Sequence, residues 1–223
     1  MPATPDFTQL KAILFDLDGV LFMSNEIHAR AYQMAFDAEG LSGFNHDEIT
    51  GMRTDAVVAL ILERNQREAT TEEVARVTAI KRANAKALFL EKAPAIEGCD
   101  ALLKTLKAHY RLALCTSASS NTANSFLDVA DHRAQFDFVI TGPEVTNSKP
   151  APEIYQRAMA EFNVQPHECL VVEDSENGVR SGIDAGAHVV GVEGTFPPEQ
   201  LMQLGAFAVV RKATDLPALC GIG

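Results

Sequence analysis

Three short apolar runs in this chain end abruptly in oxygen-bearing side chains. Ala12 to Phe15 runs into Asp16 and Asp18, Leu112 to Cys115 into Thr116 and Ser117, and Leu170 to Val172 into Glu173 and Asp174. Each ending taken alone reads as a turn or a cap, because Asp and Thr are common where a strand leaves a core. Acids on two strand ends, with a hydroxyl on a third, point further. Carboxylates gathered at one crevice repel one another and are costly to keep dry unless a hard cation neutralises them. An all-oxygen donor set suits Mg²⁺, which favours octahedral oxygen ligands and shares them with substrate phosphates; zinc prefers His and Cys. Mg²⁺ is therefore the expected cofactor.

For these endings to meet, the runs must lie side by side and point the same way. Runs of β-former type at Ala12–Phe15, Leu112–Cys115, Phe138–Ile140, Leu170–Val172, Val189–Val192 and Ala208–Val210 alternate with helical patterns, which predicts βαβ units. The expected fold class is α/β, a doubly wound, Rossmann-like parallel sheet whose strand carboxyl ends form the ligand edge. Roughly a hundred residues separate the first two runs, too many for one crossover. That stretch is helical in pattern. Ile27, Ala31, Met34, Ala35 and Ala38 form an apolar stripe with Gly40 as a stop, and Thr54 is the expected N-cap of the next helix. Thr70 and Glu73 form the capping-box pattern before a third. The predicted organisation is a core of residues 1–23 and 94–223 with an inserted α-helical bundle, the cap domain, at 24–93.

Composition limits the classes of partner. The 223 residues are 47% apolar and 22% charged, ordinary globular usage, so a sizeable core is available. A formal net charge of −11 argues against a nucleic-acid groove or a polybasic membrane contact. The opening MPATPDFTQL has no basic segment followed by an apolar run, and no stretch of ~18 apolar residues occurs, so neither a secretion signal nor a membrane span is expected. Cys99, Cys115, Cys169 and Cys220 are widely spaced without a CxxC and read as reduced, buried thiols. The expected location is cytoplasmic, and the expected assembly is a monomer or weak homodimer.

With Lys149 in SKPAPEIY added, the residues resemble the haloacid dehalogenase superfamily, in its phosphatase and β-phosphoglucomutase-like branch with a helical cap. DLDGV (Asp16 to Val20) matches the first motif and the Thr116–Ser117 strand end the second. Lys149 matches the third, and VVEDSENG (Val171 to Gly178) the fourth. DxDG is moderately specific and the others weak; four in order, over essentially the whole chain, are a strong match.

The resemblance implies that Asp16 attacks phosphorus in line to give an aspartyl-phosphate, a known use of a carboxylate nucleophile. It implies that Asp18 protonates the leaving alkoxide and later deprotonates water, its backbone carbonyl serving the metal. Thr116 Oγ and the Ser117 N–H would hold phosphoryl oxygens at the start of a helix, with either residue open as the hydroxyl donor and Thr116 favoured. Lys149 supplies a fixed positive charge at a helix entrance. Asp174 ligates Mg²⁺, and Glu173 acts in the second shell or through a metal-bound water. Gly19 permits the turn after the nucleophile, while Gly178 and Gly182 allow close helix approach or serve as plain packing glycines.

Substrate choice would lie in the cap. The resemblance places a loop there, TGMRT (Thr50 to Thr54), with Arg53 as its cation. Glu26, His28, Lys81 and Asn84 are lesser candidates whose simpler reading is a solvated helix surface, His28 matching a hinge-side histidine of the family. Met23 departs from the family, where a polar residue is usual; an apolar side chain there would narrow the entrance or pack the hinge. Asp18 argues against halide displacement. The absence of lysine between Lys11 and Lys81 argues against a Schiff-base phosphonate cleaver. The expected function is Mg²⁺-dependent hydrolysis of small phosphorylated metabolites, with a hexose-phosphate mutase as the alternative; a TGMRT loop with one cation rather than two favours hydrolysis. A non-catalytic binding module on the same scaffold ranks third, because none of the central acids is lost.

Overall fold

The computed structural model describes residues 5–49, 52–91, 95–129, 131–194 and 196–222. The chain divides into two compact units, Met1–Met23 with Ala93–Gly223, and Ser24–Lys92.

The first unit is built on β1 (Ala12–Phe15), β2 (Arg111–Cys115), β3 (Phe138–Ile140), β4 (Cys169–Glu173), β5 (His188–Val192) and β6 (Ala208–Val210). All pair in parallel, in the order β3-β2-β1-β4-β5-β6, the doubly wound arrangement with β1 at its centre. The central strands are buried on both faces, which is why their sequences are continuous apolar runs instead of alternating ones.

Helices follow the strands. In chain order the molecule has α1 (Ser24–Ala38), α2 (Thr54–Arg64), α3 (Thr71–Glu91), α4 (Cys99–Lys107), α5 (Ser120–Leu127), α6 (His132–Gln135), α7 (Glu153–Phe162), α8 (Glu176–Asp184), α9 (Pro198–Leu204) and α10 (Leu216–Leu219). One sheet face, with Ala12, Leu14, Ala113, Cys115 and Val171, is covered by Tyr155, Met159 and Phe162 of α7, Val179 of α8 and Leu201 of α9. Gly182 sets how close α8 comes: a Cβ there would fall 2.8 Å from Val189 Cγ2 and 3.0 Å from Val171 Cγ1. The register levels Phe15 with Leu114 and with Val172, so the residues that follow these three emerge along one edge. All four cysteines are free and buried.

The second unit holds α1, α2 and α3 around Tyr32, Phe36, Val57, Val58, Ile61, Leu62 and Val77. Its first helix buries Ala31 and Ala35 of the expected stripe but not Met34 or Ala38. Met34 is 41% exposed and Ala38 is exposed, whereas Ala31, Tyr32, Ala35 and Phe36 are buried. Two aromatic rings bury far more apolar area than Met and Ala do, and they decide which face turns inward. Arg53, not Thr54, is the N-cap of α2, Thr54 being its first residue. Thr70 does cap α3, its Oγ1 accepting the Glu73 N–H at 3.2 Å, while the Glu73 carboxylate goes to Arg67 and Arg76. Among the described residues, no helix is long and apolar enough to cross a membrane.

Candidate active site

The carboxyl edge of β1, β2 and β4 carries a buried charge cluster centred on Lys149. Its ammonium donates to Asp16 Oδ1 at 2.6 Å, Glu173 Oε1 at 2.7 Å and the Cys115 carbonyl at 2.9 Å. An ammonium has three protons, and each has an acceptor here. The Lys149 side chain is 5% exposed and that of Glu173 1%, so these are desolvated, charge-assisted bonds and not surface pairs. The Lys149–Pro150 peptide that precedes α7 is cis. Pro152 takes the N-cap position of α7.

Glu173 is held on every side. Oε1 accepts from Lys149 and from the Tyr155 hydroxyl at 2.8 Å, and Oε2 accepts the Asp174 N–H and the Ser175 hydroxyl, both at 3.1 Å. Gly178 lies directly over this carboxylate, where a Cβ would fall 1.8 Å from Oε1. The glycine of the fourth motif therefore leaves room for the acid. Gly19 does the same for Asp174, since its Cβ would fall 2.0 Å from Asp174 Oδ2, and its φ of +82° is the left-handed region that also favours glycine.

Carboxylate oxygens of Asp16, Glu173 and Asp174 all lie within 4.8 Å of one another, and all three residues are buried. Burial is the largest influence on Asp16 and pushes its carboxyl well above the usual range; Lys149 opposes it, and Glu173, Asp18 and Asp174 add to it. Burial works against the charge on Lys149, but Asp16 and Glu173 more than offset that and raise it above an ordinary lysine. A buried, oxygen-only trio whose negative charges exceed its one cation fits a hard divalent ion. Asp16 and Asp174 are its natural ligands, because both oxygens of Glu173 are committed to protein donors. The Asp18 side chain is not one of the trio.

Thr116 is fully buried at the end of β2. Its N–H continues the ladder to the Ile140 carbonyl at 3.0 Å, and its Oγ1 accepts the Ala118 N–H at 2.9 Å, so the hydroxyl keeps its own proton to donate. Ser117 is exposed. The helix expected to begin at this point starts later, at Ser120, with Ser119 as its cap through a 3.3 Å bond to Thr122 N. A four-residue turn therefore separates the strand from the dipole of α5.

The residues expected in the cap lie in the second unit. Arg53 is 86% exposed and forms a two-pronged pair with Asp55 at 3.0 and 3.1 Å. Thr50 and Gly51 of the TGMRT loop lie outside the described residues. Glu26 is exposed, as a solvated helix surface requires. Lys81 is not solvated: it is 6% exposed, its ammonium 3.1 Å from His28 Nδ1 and 4.5 Å from the centre of the Tyr32 ring. His28 packs edge-on against Phe89, and burial first, then the Lys81 charge, lowers its pKa to about 3. Both residues belong to a packed helix seam, where the expectation of an open surface fails. The Asn84 amide reaches the Ala31 carbonyl at 3.5 Å. Met23 is 47% exposed, so its side chain does not pack as its apolar character suggested. Tyr155 and Ser175 join the cluster without having been singled out for it; a tyrosine on the apolar stripe of α7 was the available signal, since a buried hydroxyl needs a partner.

Residues 13–192 match the family model described as haloacid dehalogenase-like hydrolase. The chain belongs to that family. As a haloacid dehalogenase-like hydrolase it is 32% identical over 187 residues to a Drosophila melanogaster protein named as a probable pseudouridine-5'-phosphatase, covering 79% of each chain. It is 27% identical to a phosphorylated carbohydrates phosphatase of Thermotoga maritima, over 94% of this chain and 98% of the relative. A solved structure of β-phosphoglucomutase from Clostridium difficile superposes with a TM-score of 0.73 at 25% identity, covering 93% of each chain. Removal of phosphate from a phosphorylated compound is the chemistry for which these two curated relatives are named.

Proposed function

We propose that this hydrolase removes phosphate from small phosphorylated metabolites, sugar phosphates and related monoesters, through an aspartyl-phosphate on Asp16, with Mg²⁺ as cofactor. The observation that carries the reading is the buried Lys149 ammonium joining Asp16 to Glu173, with Asp174 within reach of both acids.

Phosphoryl transfer needs positioning and charge neutralisation above all. Asp16 forms the new P–O bond as the ester P–O bond breaks, and Asp18 gives its proton to the departing alkoxide oxygen. Asp18 then takes a proton from water as that water attacks phosphorus, which releases inorganic phosphate and regenerates Asp16. Lys149 neutralises charge beside the attacking oxygen. The Thr116 hydroxyl and the Ser117 N–H donate to phosphoryl oxygens. Glu173, saturated by protein donors, orients Lys149 and acts in the second shell. Mg²⁺ held by Asp16, Asp174 and the Asp18 carbonyl would offset phosphoryl negative charge when bound. Substrate choice is assigned to the Ser24–Lys92 unit acting as the cap, with Arg53, His28 and Glu26 as its candidate residues.

Asp16→Asn tests the reading. It should abolish release of phosphate from an aryl phosphate with an unchanged circular dichroism spectrum; turnover that survives the change sinks the assigned nucleophile. The mutase relative supports a second reading, in which the phosphoryl group returns to the sugar. Incubation with β-glucose 1-phosphate separates the two, since glucose 6-phosphate marks a mutase and free phosphate a phosphatase.

A further inference from the structure

After β3 the chain makes a tight turn over Thr141–Glu144 that belongs to none of the four motifs. It meets the loop after β2 in three ways. The Gly142 N–H donates to the Ala118 carbonyl at 3.0 Å. A Cβ on Gly142 would fall 2.3 Å from the Ser117 carbonyl oxygen and 2.9 Å from its carbon, backbone atoms that cannot step aside as a flexible side chain would. Gly142 is not in the left-handed region, so space alone demands glycine here. The third contact is a relay of hydroxyls. Thr141 Oγ1 donates to Glu144 Oε2 at 2.6 Å, since a carboxylate only accepts, and Ser120 Oγ at 3.0 Å is then the donor to Thr141. The same Glu144 oxygen takes the Thr141 N–H at 2.9 Å, and Thr141 is 3% exposed.

The segment between these contacts is Thr116 to Ser120. It is short, its first residue is tied to Ile140, and its peptide and hydroxyl donors are useful only if aimed to within a fraction of an ångström. We infer that the Thr141–Glu144 turn is a brace that positions the phosphate-binding loop, with Gly142 as its contact residue and Ser120–Thr141–Glu144 as its tie. The inference rests on the reading of Thr116 and Ser117 as phosphate donors. None of the brace residues touches the reacting atoms; they act through the loop.

The test measures inorganic phosphate binding to the Mg²⁺-loaded protein by isothermal titration calorimetry, alongside KM, kcat and the Mg²⁺ half-saturation for an aryl phosphate. Gly142→Ala should weaken phosphate binding and raise KM together by about 10- to 100-fold, as displacement of a positioned loop by about 1 Å would. Ser120→Ala and Thr141→Val should each weaken phosphate binding by about 5-fold, the scale of one lost hydrogen bond, and Thr141→Ser should restore it. Mg²⁺ half-saturation should stay put in every variant. Unchanged phosphate affinity in folded Gly142→Ala overturns the brace, as does an equal loss of Mg²⁺ and phosphate affinity in the folded variant. If Gly142→Ala does not fold, Ser120→Ala decides on the same criteria. A wild-type protein that neither binds inorganic phosphate nor hydrolyses the ester removes the functional reading itself; an active wild type with unaltered variants removes the brace alone.

Discussion

Two buried lysines, one in each unit, show how neighbours decide what a buried charge does. Lys149 lies among carboxylates, and every proton of its ammonium is directed at an oxygen of the first unit. Lys81 lies against a histidine nitrogen and the face of a tyrosine. In the first case the attraction outweighs the burial cost and locks a cation beside a candidate nucleophile. In the second the cation helps keep its histidine neutral. A buried lysine thus acts on the groups it faces, carboxylates in one case and an imidazole in the other.

Five experiments break or sharpen that contrast. The largest effect is expected for Lys149→Met, which leaves Asp16 and Glu173 facing each other without their cation; kcat should fall by about 10³-fold or more, and Lys81→Met should lower it far less. If the two variants lose activity equally, the contrast is false. Chelation of divalent ions should come next, with turnover lost and then recovered on adding Mg²⁺; full activity in excess chelator would reject the metal. Gly178→Ala should displace Glu173, which its Cβ would overlap at 1.8 Å. A loss of about 1–3 kcal/mol by urea denaturation is expected, with kcat reduced. Tyr155→Phe removes one donor from Glu173 and should cost about 1 kcal/mol in kcat/KM, roughly 5-fold, with KM little changed.

The smallest effect on turnover concerns His28. Its folded pKa of about 3 lies below the unfolded value, so the unfolded chain binds the extra proton first. Stability should therefore be fully present above about pH 6.5 and decline as pH falls toward 3, by at most about 1.4 kcal/mol per pH unit from this group. His28→Gln should flatten that slope. A His28 ring signal that titrates near pH 6 in NMR would contradict the buried neutral state.

Much of the first unit could be read from the chain alone. The ends of β1, β3 and β6 coincide with the apolar runs, and β2, β4 and β5 extend those runs by a residue or two at their ends. A strand buried on both faces has nearly every side chain under the same apolar demand, so its extent shows in one dimension. A helix in a small bundle buries only a stripe. Choosing between Met34 and Tyr32 as members of that stripe in α1 depends on what α3 presents to it, which lies far off in sequence.

By itself the sequence determined the parallel sheet, the inserted helices and the meeting of Asp16 with Glu173 and Asp174, because strand ends in a doubly wound sheet share one edge whatever fills the rest, while Lys149 came from the family resemblance. Tertiary structure alone decided that Glu173 is spent on Lys149 and Tyr155, that Lys81 is buried beside a neutral His28, and that a turn after β3 presses on the loop after β2. Hydrogen-bond partners and close backbone approaches depend on distances of a few tenths of an ångström between segments remote in the chain, and residue type and spacing do not encode those distances.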